Sequence, residues 1–149
     1  MTKFGAILLI HILAATIWIG GHLALASTVL PKALKEKNIL HLSLFESGYE
    51  KIGIPALLIQ ILTGLWLAQI FVSDFSQWMN FDNPISRLID ANLFLLLATA
   101  ALAADARLKV MPKLSEKNLA DLAWHIISVT IISVLAVVVG VSNQVGWFS

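Results

Sequence analysis

An all-α integral membrane fold, with four helices running up and down through the bilayer, is predicted by three features of the sequence. Of 149 residues, 58% are hydrophobic and only 13% charged, whereas a soluble domain carries about 25% charged residues. Four apolar stretches meet or approach the ~20 residues needed to cross the hydrocarbon layer. The charges collect in the segments between those stretches. The length suits one transmembrane domain over residues 1–149.

The first span is expected over residues 4–30 and is closed by Pro31, whose missing N–H interrupts the helical ladder. A cleaved signal peptide over residues 1–26 is the competing reading, but its apolar run is too long. A connection follows that carries Lys32, Lys35, Glu36, Lys37, Glu46, Glu50 and Lys51, with residues 39–45 lying on the membrane surface. The second span is placed at 52–72. The next connection carries Asp74, Asp82 and Arg87. The third span, 88–104, is short and alanine-rich. Arg107, Lys109, Lys113 and Lys117 fill the last connection, and the fourth span covers 122–141.

Lysine and arginine gather on the cytoplasmic side of a membrane. The first and third connections are therefore expected in the cytoplasm, and both termini on the outer, periplasmic side of a bacterial inner membrane. Lys3 alone opposes that orientation. With no cysteine, disulfides, thiolate zinc sites, iron–sulfur clusters and thiol nucleophiles are excluded. A net charge of +1 lacks the basic face that nucleic acid requires. No phosphate-cradling glycine loop or serine nucleophile beside an inward histidine suggests a hydrolase.

Polar groups inside hydrocarbon are costly, so those that persist usually face the bundle interior and often mark function. His11 and His22 share one stripe of the first helix with Ala15 and Trp18, about 16 Å apart along its axis. The fourth helix carries His125, Ser128, Gly140 and Asn143 along one line. The second offers Gly53, Gln60, Thr63 and Gly64, and the third Asp90 near its outer end. In an up-and-down bundle the first and fourth helices are neighbours. His22 and His125 then lie at one depth, and His11 lies near Asp90, Gln69 and Asn143. His41 falls in the cytoplasmic connection.

Two neutral imidazoles from facing helices are the usual axial ligands of b-type haem, which needs no cysteine. The lead expectation is therefore a haem b protein that moves electrons, with quinol as a candidate donor. In it His22 and His125 hold the haem, Trp18 packs on the cofactor or on a helix, and His11 serves a second site or a proton-linked role. Asp90, Gln60 and Asn143 are the supporting polar groups. Imidazole also suits copper, which makes a copper-binding or copper-transport protein the alternative, with His11 and His22 as separate stations on one face. Met1, Met79 and Met111 are placed outside the span interiors. A third reading is a cofactor-free subunit whose histidines only hydrogen-bond between helices.

The segment Leu9-Ile10-His11-Ile12-Leu13-Ala14-Ala15-Thr16-Ile17-Trp18-Ile19-Gly20-Gly21 resembles the first helix of the CopD-like membrane proteins. There a histidine is followed by tryptophan seven residues later and then by paired glycines. Pro55-Ala56-Leu57-Leu58 through Leu62-Thr63-Gly64-Leu65-Trp66 resembles their second helix. The resemblance implies a copper-related role. The first helix is also similar to that of HemJ-type protoporphyrinogen oxidase, which implies His11 as a haem ligand. The chain departs from that type at Asp90 and Asn92, at Ala103, Ala104 and Asp105, and at Ala123-Trp124-His125.

Overall fold

The structure, a computed structural model, describes residues 2–147. Among them there is no strand, and four helical segments are long and apolar enough to cross a membrane: Lys3–Glu36, Ile39–Phe71, Pro84–Lys113 and Glu116–Val145.

Helix α1 (Lys3–Ala24) starts where the Thr2 hydroxyl accepts a hydrogen bond from the Gly5 amide, satisfying one of the donors a helix start leaves free. It does not stop at Pro31. A π-helical turn, Leu25–Val29, leads directly into α2 (Leu30–Glu36), with Pro31 in its first turn. In a first turn proline's missing N–H has no helical partner to lose. Lys37 then ends the segment in the left-handed region (φ 51°).

Asn38 caps α3 (Ile39–Phe71), accepting from the Leu40 amide at 2.9 Å. Residues 39–45 were expected on the membrane surface, but they form the first turns of this single 33-residue helix. The second span is thus much longer than 52–72.

Asn83 caps and Pro84 opens α4 (Pro84–Asp105), which a π turn, Ala106–Val110, and a short 3-10 turn, Met111–Lys113, prolong. The expected third span, 88–104, was short because its polar first turn hid the cap. Helix α5 (Leu119–Val145) is preceded by the reciprocal Ser115–Asn118 capping box and ends at left-handed Gly146 (φ 72°).

The long helices run up and down in chain order. Helix α1 packs mainly along α3 and α4 mainly along α5, whereas the α1–α5 and α3–α4 seams meet sparsely. Lipid supplies no hydrophobic drive between helices, so close packing and hydrogen bonds hold them together. The largest buried cluster lies at the end bearing the two π turns. Leu25, Leu30, Leu42, Val110, Leu122 and Ile126 meet there. At the opposite end Ala68, Val72 and Ile89 pack under Trp78, whose Nε1–H donates to the Val72 carbonyl at 2.8 Å.

Candidate functional site

Helices α1, α3, α4 and α5 line a half-open cavity of about 560 Å³, its open mouth included, at the π-turn end. Its floor is Trp18, only 4% exposed and packed against Leu57 and Val129. The Trp18 indole Nε1–H is buried without a hydrogen-bond partner among the described residues. His22 follows one turn later, its ring centroid 4.4 Å from that of Trp18.

The His22 tautomer follows from its neighbours. Its Nδ1 lies 3.0 Å from the Trp18 carbonyl, which can only accept, and the Tyr49 hydroxyl donates to the same carbonyl at 2.7 Å. Nδ1 therefore carries the hydrogen and donates it. Nε2 is left with a lone pair and has no hydrogen-bond partner among the described residues. The Thr130 hydroxyl reaches the His22 carbonyl at 3.3 Å, so the first and fourth spans do touch here.

His125 lines the same cavity, as expected from matched depth. Its chemistry differs from the expectation. Nδ1 donates to the Asp121 carbonyl at 2.8 Å, and Nε2 lies 2.9 Å from the Asp105 carboxylate, which also pairs with Lys109. Both ring nitrogens of His125 therefore face oxygen atoms of neighbouring residues at hydrogen-bond distance. With both His125 nitrogens engaged in this way, nothing in the structure supports the haem expected between His22 and His125. Asp105, on a different helix, is the partner that the sequence did not reveal.

Several residues expected in the connections also reach this cavity. Glu50 pairs with Arg107 at 2.8 Å, and Glu46, Tyr49 and Met111 line the walls. Met111, expected outside the span interiors, therefore brings a thioether to the cavity that holds His22. A signal was present in the sequence. Glu46, Tyr49, Gly53, Ala56 and Gln60 recur every three or four residues, which extends the inward stripe of the second span toward its start.

His11 lies about three helical turns away and lines a different cavity, of about 780 Å³, with Gln60, Asn92 and Asn143. Its Nδ1 is 2.8 Å from the Thr63 hydroxyl, and that hydroxyl donates to the Ile59 carbonyl at 2.7 Å. Asp90 does not join His11 there. Asn92 does, while Asp90 Oδ2 is buried without a partner. Asp90 also makes no ion pair with Arg87 among the described residues. Gln69 turns away, donating to the Ser73 carbonyl at 2.7 Å. His41 is exposed.

Among the described residues, no three His, Cys, Asp or Glu side chains form a group that could hold a metal ion. No curated protein and no solved structure matches the chain. A protein family does, the one described as copper resistance protein D, over residues 44–142. The matched stretch supplies Glu46, Tyr49, Gln60, Asn92, Met111 and His125 to the two cavities, and the histidine stripe of α1 lies outside it. With most of its length matched and four membrane-spanning helices, the chain belongs to the copper resistance protein D family.

Proposed function

We propose that this protein binds copper as a cargo within the membrane, with the cavity around His22 as its station. The observation that carries the reading is the fixed tautomer of His22. Its Nδ1–H is held by the Trp18 carbonyl, so the Nε2 lone pair is free for a metal in a cavity also lined by Met111 and Glu46. Imidazole and thioether suit Cu(I), and imidazole with carboxylate suits Cu(II). A site of two or three mixed donors fits an ion that must leave again. The lysines and arginines around residues 32–51 and 107–117 favour placing this end in the cytoplasm, with the chain in a bacterial inner membrane.

The test is copper binding by purified protein in detergent, read by elemental analysis and by competition with a chromophoric Cu(I) chelator. Stoichiometric copper is expected in the wild type. His22→Ala should lose it, and Met111→Leu should weaken Cu(I) by about tenfold or more. Copper retained in full by both variants would overturn the assignment to this cavity.

A further inference from the structure

A second cavity surrounds His11, separate from the copper station proposed at His22. The Thr63 hydroxyl has committed its hydrogen to the Ile59 carbonyl at 2.7 Å. It must therefore accept from His11 Nδ1–H. The other ring nitrogen, Nε2, is then left as an acceptor, and the Gln60 backbone carbonyl also lies within hydrogen-bond reach of the ring. Gln60, 8% exposed, lines the same cavity, with Oε1 buried and unpartnered among the described residues. Asn92 and Asn143 line the same space, and neither side chain makes a hydrogen bond among the described residues. Glycine at 64 keeps the ring edge clear, because a methyl group there would come within 3.3 Å of His11 Cε1.

Unmet acceptors are expensive in hydrocarbon. They need donors, and a route into this cavity exists. His11, Gln60 and Asn92 also form the polar floor of an apolar trough of about 1360 Å³ between α1 and α5, walled by residues such as Ile12, Ile19 and Val137. The trough follows the sparsely packed α1–α5 seam, whose outer residues are lipid-facing.

We propose that this trough and its polar floor bind a lipid-soluble hydroquinone. Its two hydroxyls donate to His11 Nε2 and Gln60 Oε1, and its single apolar tail lies between α1 and α5. Two unmet acceptors call for two donors on one small group, which favours this ligand over a lipid whose headgroup offers acceptors only. The flat ring also suits a space that glycines at 64 and 140 leave without side chains. The inference concerns binding alone and does not rest on the copper reading.

The experiment uses the full chain in lipid nanodiscs, kept anaerobic and with a metal chelator present. The probes are a decyl-tailed benzohydroquinone and its di-O-methyl ether, which has the same ring and tail but no donors. Saturable binding of the hydroquinone is expected, with the ether weaker by about tenfold or more. Gln60→Leu should abolish that preference, while the lipid-facing variant Leu62→Ala should keep it. Equal binding of the two probes would mean that the trough takes any tailed molecule, and would overturn the proposal. No saturable binding of either probe would overturn it too, leaving water as the occupant of the polar floor.

Discussion

The ring of Tyr49 occupies the space that a side chain on Gly21 would need. The same ring fills the space beside Gly53, and its hydroxyl donates to the Trp18 carbonyl at 2.7 Å. One tyrosine thus joins α1 to α3 beside the His22 cavity, in a slot made by two glycines.

Gly21→Ala should therefore destabilise the protein, by about 1–3 kcal/mol as for other overpacked sites. Gly20→Ala should be tolerated, because nothing lies within 4 Å of that position. Thermal unfolding in detergent compares the two, and equal melting temperatures would contradict the tyrosine slot.

Removing the acceptor for His11 should release its tautomer. With Thr63 in place, the imidazole is held as the Nδ1–H form. In Thr63→Val a mixture of tautomers is expected, visible in the 15N shifts of selectively labelled histidine. The loss of stability should be about 1 kcal/mol, typical of a hydrogen bond between membrane helices.

His125→Ala separates packing from metal binding. Both ring nitrogens are already engaged with Asp105 and Asp121, so copper affinity should change by no more than about twofold. Stability should fall by about 1 kcal/mol, because Asp105 keeps Lys109 as a partner. A loss of copper as complete as in His22→Ala would make His125 a ligand and the observed pairing incidental.

The 72–83 connection should respond to acid. The Ser76 amide, 2.9 Å from Asp74 Oδ1, and the Ser76 hydroxyl hold the exposed Asp74 carboxyl below its usual range. A lowered folded value means that this stabilisation is fully present above the unfolded pKa of ~3.9. It is lost as pH falls from there through the folded value. Protection of the Ser76 amide from hydrogen exchange, corrected for intrinsic rates, should follow that course. In Asp74→Asn it should not depend on pH.

Four spans were legible because hydropathy over about 20 residues reports the solvent directly. Their ends were less so. Pro31 reads as a stop in one dimension, but the π turn at Leu25–Val29 places it in the opening turn of α2, where proline is accommodated. Residues 39–45 look amphipathic in isolation and become the start of α3 only because Asn38 caps them.

The candidate site was legible in part. His11 and His22 share a stripe by simple helical arithmetic, and matched depth brought His22 and His125 to one cavity. The hydrogen-bonding states of His11 and His125 depend on partners 52 and 20 positions away. No local pattern could say that Asp105 would claim His125, or that Thr63 would orient His11.

The uneven packing of the helices makes the molecule divisible. Helices α1 and α3 form one hairpin, α4 and α5 form another, and the stretch between residues 72 and 83 joins them. Each hairpin holds together through its own dense seam. A chain cut in that stretch and expressed as two pieces should find its partner again in the membrane. The loose seams, which contribute little to cohesion, are then free to part, and the polar trough lies along one of them. Durability and access thus reside on different pairs of helices.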